Sequence, residues 1–166
     1  KYRMKSREMV VNMKRIKSFE VDHNTLQIGM YISRVDDDIV TYDLRMVKPN
    51  GGVYLDSAGM HTVEHLMATF LRNSEFEKNI IYFGPMGCRT GFYFLQRGMS
   101  HQDAIILVRQ ALDFVIGFSG EIPGCSAIEC GNYKEHDLAA AQEMVCALRE
   151  RLNDYSVDLL QYETVR

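Results

Sequence analysis

The chain has no apolar run approaching the roughly 20 residues that a membrane-spanning helix requires, so a soluble protein is expected. It also has no excess of basic residues. Nineteen Lys and Arg against 22 Asp and Glu leave a net charge of −3, which gives no reason to expect nucleic acid as a partner. The basic residues that do cluster, Lys1, Arg3, Lys5, Arg7, Lys14, Arg15 and Lys17, are read as a solvated arm. That arm lacks the continuous apolar stretch of a secretory signal, and its methionines Met4, Met9 and Met13 suggest an alternative start. Residues 1–16 are therefore expected to be an extension without functional role. The sequence contains no CxxC pair, internal repeat or low-complexity stretch. Without a signal sequence, Cys88, Cys125, Cys130 and Cys146 are read as reduced thiols of a cytoplasmic protein rather than as two disulfides.

What is present describes one ordinary globular domain. At 166 residues a single core can bury about 68–70% of the surface of the unfolded chain. The β-rich runs 29–34 and 38–47 read as a hairpin, and Pro49-Asn50-Gly51-Gly52 breaks the pattern. A helix is expected from about Ser57–Met60 to Asn73, with Leu66, Met67, Phe70 and Leu71 as its apolar stripe. Two strands, 79–83 and 91–95, flank a tight Gly84–Thr90 connection that places Cys88 in a loop. Ser100 with Asp103 has the spacing of a capping box and opens a helix through Phe118, with Ile105, Ile106, Val108, Leu112 and Val115 as apolar positions. A last helix runs from about His136 or Asp137 to Asn153, with Cys146 in its core pattern and a weaker helical tail to Arg166. Segregated strands and helices predict an α+β domain, an antiparallel sheet packed against helices.

His61-Thr62-Val63-Glu64-His65 carries the most chemistry. Residues four apart share a helix face, so His61 and His65 can aim two imidazoles at one metal ion, with Glu64 beside it to move protons. A catalytic metal site takes three protein ligands and keeps one position open. Cys130, in an irregular Gly-flanked segment, is a candidate third ligand suited to zinc or ferrous iron. Cys125, five positions earlier, competes with it, and spacing does not choose between them. Glu129 or Glu135 as third ligand would favour a metallopeptidase instead. Cys88 has small neighbours in Gly84 and Gly87 and a cation next door in Arg89, which suits a base or nucleophile. Arg45 and His23, polar residues near apolar strand pattern, either bind substrate or pair with an acid.

Taken in order, Ser18–His23, Tyr42–Arg45 with Pro49-Asn50, His61–Leu66, Pro85–Tyr93, Cys130–Tyr133 and His136–Leu138 resemble the S-ribosylhomocysteine lyase (LuxS) family from about residue 17 to the last helix. The resemblance implies a lyase domain over 17–166 and a homodimer with active sites near the subunit interface. It implies cleavage of the thioether of S-ribosylhomocysteine to homocysteine and 4,5-dihydroxy-2,3-pentanedione, the precursor of the autoinducer-2 quorum-sensing signal. His61, His65 and Cys130 are then the metal ligands, for one Fe2+ per subunit that Zn2+ or Co2+ can replace. Cys88 and Glu64 become the acid/base pair, and Ser18, His23, Arg45 and Arg72 the substrate contacts. One departure stands out: many relatives carry an acidic residue in the strand before Pro85-Met86-Gly87-Cys88, where this chain reads Tyr82-Phe83-Gly84.

Overall fold

The hydrophobic pattern resolves into four strands and three helices in a computed structural model that describes residue 16 and residues 19–162. In chain order these are β1 (Gly29–Asp36), β2 (Ile39–Arg45), α1 (Ser57–Arg72), β3 (Ile80–Pro85), β4 (Gly91–Arg97), α2 (His101–Gly117) and α3 (Leu138–Arg151). The sheet has the order β1-β2-β4-β3 and every neighbouring pair is antiparallel. The helix α1 carries the chain across to β3 at the far edge, and β4 returns to fill the slot beside β2. The α+β expectation holds, and no helix among the described residues is long and apolar enough to cross a membrane.

Alternation along the strands separates two faces. Met30, Tyr42, Leu44, Phe83, Phe92 and Phe94 are buried and form the core with the apolar stripes of the helices. The intervening row, Tyr31 opposite Asp43 opposite Tyr93, lies on the other face of the sheet and continues to Arg45. Gly91 pairs with Arg45, and a Cβ added to Gly91 would stand 2.4 Å from the carbonyl oxygen of Leu44 and 3.2 Å from Arg45 Cα. Only glycine lets the two strands approach this closely. Gly91→Ala is expected to destabilise the fold by roughly 1–3 kcal/mol through overpacking, read as a drop in denaturation midpoint; an unchanged midpoint would mean the strands can part at no cost.

Local signals set the helix starts. Asp56, Ser100 and Asp137 each accept a hydrogen bond from a first-turn backbone N–H, capping α1, α2 and α3. Strand ends depart from expectation. The first hairpin turns at Asp37-Asp38, with Asp37 in the left-handed region, so Val35 and Asp36 still pair with β2. The second strand stops at Arg45 because the N–H groups of both Met46 and Val47 donate to Thr90 O. Ile106, expected on the apolar stripe of α2, is 41% exposed, one helical step off the buried Ile105–Leu112 face. Cys146 is exposed rather than core, since Ala141, Val145 and Leu148 form the buried edge of α3. Over the described part of the expected helical tail there is a short 3₁₀ turn at Val157–Leu160, and residues 163–166 lie outside the described residues. The expected extension, residue 16 apart, lies outside the described residues.

Candidate active site

Two elements bring four potential donors together: α1 supplies His61 and His65, and the segment before α3 supplies Cys130 and His136. One ligand atom from each of these four residues lies within 4.8 Å of every other. Hydrogen bonds assign the proton on both α1 imidazoles. Nδ1 of His61 lies 2.8 Å from Glu135 O, and Nδ1 of His65 lies 2.7 Å from Pro123 O. A carbonyl only accepts, so each Nδ1 carries the proton and each Nε2 keeps a lone pair. Cys130 Sγ stands 3.3 Å from His61 Nε2, and the N–H of Asn132 donates to the same sulfur at 3.4 Å. Two Nε2 lone pairs and a sulfur held by a backbone donor fit a metal ion. Gly124, at φ +72°, shapes the support: a Cβ there would sit 3.3 Å from His65 Nδ1.

The competing ligands go elsewhere. Cys125 donates to Tyr133 O at 3.1 Å, and Ser126 donates to the Glu129 carboxylate at 2.5 Å. Glu135 supports His61 with its main-chain carbonyl, while its carboxylate accepts from Asn132. His136 joins the cluster although nothing in its spacing marked it as a donor. Its ring stacks on His61 with centroids 4.1 Å apart, its Nδ1 meets Thr62 Oγ1 at 3.1 Å, and its buried Nε2 has no partner. Burial, and then the nearby His61 and His65, hold its pKa below the usual histidine value.

Glu64 and Cys88 line adjoining cavities that share the wall Pro85-Met86-Gly87. Glu64 and His61 open into one of about 400 Å³. Cys88, Arg45, Asp43 and His23 line the other, about 290 Å³, on the sheet face turned away from the helices. The connection carrying Cys88 closes on itself through the N–H of Arg89 to Met86 O and that of Met86 to Gly91 O, with Arg89 at φ +56°. Arg89 was the cation expected beside Cys88. Instead its guanidinium stands over the Tyr54 ring, 6.0 Å from the centroid, and the cation at the sulfur is Arg45, whose Nη1 lies 3.9 Å from Cys88 Sγ.

Arg45 is both paired and presented to the cavity. It is 2% exposed, and Nη2 donates to Asp43 Oδ2 at 2.5 Å, an acceptor that Tyr162 also reaches at 2.9 Å. Burial works against its charge, but the Asp43 carboxylate outweighs this and leaves the Arg45 pKa raised. His23 is half-buried and donates from Nδ1 to Val21 O at 2.9 Å. Arg72 sits at the other end of α1 from His61, about 16 Å along the axis, and donates to Ile81 O at 2.9 Å, lining neither cavity. Ser18 lies outside the described residues. In β3, Tyr82 is 47% exposed and Phe83 is core.

Two histidines and a cysteine that could hold a metal ion, joined by His136, with a carboxylate in the adjoining cavity and a second thiol across a shared wall, have the composition of a metal-binding, proton-transfer site. The model of the family described as S-ribosylhomocysteinase (LuxS) matches residues 16–157, and the chain belongs to that family. It is 44% identical over 156 residues to the S-ribosylhomocysteine lyase of Clostridium acetobutylicum, covering 90% of this chain and 99% of the relative. Proteins with the same description from Desulfotalea psychrophila and Borreliella burgdorferi are 46% identical over 137 residues and 42% identical over 156. These alignments cover 79% and 90% of this chain and 86% and 99% of the relatives.

Proposed function

We propose that this chain is an S-ribosylhomocysteine lyase that cleaves the substrate thioether to homocysteine and 4,5-dihydroxy-2,3-pentanedione, the autoinducer-2 precursor. The observation that carries the reading is the near-complete alignment with lyases of that description, combined with an Nε2, Nε2, Sγ donor set beside Glu64. His61, His65 and Cys130 are the ligands, for one Fe2+ per subunit, with Zn2+ or Co2+ able to replace it. Bound there, the metal supplies a Lewis acid that polarises carbonyl and hydroxyl oxygens of the opened ribose.

The residues then divide the proton traffic. Breaking a C–S bond at the terminal carbon of a sugar requires an acidic C–H next to it, so the carbonyl must first migrate along the chain. Each migration removes a proton from one carbon and returns it to the next. Cys88, as a thiolate beside Arg45, takes and returns these carbon-bound protons. Glu64 moves protons among the oxygens and assists departure of the homocysteine thiolate in the final β-elimination. Arg45 and His23 contact substrate from the walls of the Cys88 cavity, and the resemblance adds Ser18 and, from outside both cavities, Arg72.

Among the described residues, none of the three helices covers the sheet face on which the Cys88 cavity opens, which supports a homodimer whose partner borders the active site. The lyase domain takes in 17–166, and the protein works in the cytoplasm, without nucleic acid or membrane partners, between methionine metabolism and quorum sensing. Metal-loaded protein incubated anaerobically with S-ribosylhomocysteine is expected to release free thiol in proportion to substrate consumed. Absence of thiol from fully metal-loaded protein would remove the assignment.

A further inference from the structure

Thr90 has no part in the reading above, yet its hydroxyl touches both Arg45 and Cys88. Arg45 Nη1 lies 2.5 Å from Thr90 Oγ1, and because a guanidinium only donates, Thr90 accepts there. Thr90 Oγ1 also lies 3.1 Å from Cys88 Sγ. A hydroxyl has one proton. With a lone pair committed to Arg45, that proton is free for the sulfur, and a thiolate is the acceptor that takes it. Thr90 is 3% exposed and Arg45 2%, so water does not compete for either group, whereas Cys88 itself is exposed.

We propose that Thr90 is a positioning residue: polarised by Arg45, it donates to Cys88 Sγ and holds the sulfur as a thiolate facing the cavity. The inference rests on the reading of Cys88 as carrier of carbon-bound protons. Arg45 is the nearest cation, but at 3.9 Å Nη1 makes at most a long contact with sulfur, so Thr90 carries the shorter link of a relay from Asp43 through Arg45 to Cys88. The titratable and charged groups facing this sulfur are Asp43 and Arg45 from β2, Tyr93 from β4, and His23 and Tyr162 across the cavity, while Arg89 in its own loop turns to Tyr54. None of these supplies a neutral donor at the distance Thr90 does. A purely structural Thr90 would act through volume and through its carbonyl, which accepts from Met46 and Val47, and valine keeps both.

The test is alkylation of Cys88 by iodoacetamide in metal-loaded protein, mapped by mass spectrometry over a pH series without substrate. Thr90→Val is expected to slow alkylation at neutral pH about tenfold and to move the midpoint of the profile up by about one unit, the scale of one hydrogen bond to a charged group. Thr90→Ser is expected to restore the wild-type profile. If Thr90→Val melts far below wild type, Thr90→Ala supplies the same comparison without the bulk. A wild-type profile in the folded variant lacking the hydroxyl would overturn the role of Thr90 and leave the lyase reading standing. Failure of thiol release from S-ribosylhomocysteine would remove the lyase reading and leave the alkylation result intact.

Discussion

Cys130→Ala is expected to strip the site of its metal, weakening affinity by at least ~100-fold, beyond the roughly 10–100-fold typical of losing a group that merely supports a ligand. The reason is geometric. Cys130 Sγ stands 3.3 Å from His61 Nε2 with a backbone donor of its own, and it is the one thiol among the four donors of the cluster. Cys125→Ala is the matched control, because that thiol turns away to Tyr133 O, and it should keep full occupancy. Equilibrium dialysis measures the loss, and Co2+ loading shows it independently as disappearance of thiolate-to-metal absorption. Retained metal in Cys130→Ala together with loss in Glu135→Ala would return the site to the metallopeptidase pattern.

Cys88→Ala and Glu64→Gln should each lower turnover by ~100-fold or more while the metal stays bound, the usual scale for removing a general acid or base. Neither side chain belongs to the donor cluster, so metal content separates this result from the first. Glu64→Gln keeps the volume and polarity of the side chain and removes its ability to take up a proton. Cys88→Ala removes the sulfur from the cavity wall and leaves the Arg45 guanidinium bonded to Asp43 and Thr90. The two variants combined should lose less than the product of the single effects, since both serve one sequence of proton transfers. Near-normal turnover in either single variant would take that residue out of the mechanism.

How much of this was legible in the sequence depends on the range of the interaction concerned. The three helix starts rest on Asp56, Ser100 and Asp137, each bonded to a residue three positions on. Such signals are local and survive without a fold. Strand ends are set from afar: β2 stops because Thr90, 45 positions beyond Arg45, captures Met46 and Val47. Exposure of Ile106 and Cys146 likewise depends on which helix faces meet neighbours, and an apolar residue adjoining a buried stripe reads the same on either side of its edge.

For the site, the 3.6-residue period alone places His61, Glu64 and His65 on neighbouring faces of one helix, because that geometry needs nothing beyond the helix itself. Spacing did not separate Cys125 from Cys130; motif resemblance named Cys130, and the path of the chain before α3 is what carries its sulfur to His61. The same path delivers His136, which no periodic signal marked. The sequence neighbour of Cys88 suggested Arg89 as its cation, but antiparallel register sets Arg45 opposite Gly91 and turns Arg89 toward Tyr54. A helix fixes the relations among its own residues through short hydrogen bonds, whereas a thiol acquires its charge partner only once two strands have settled in register.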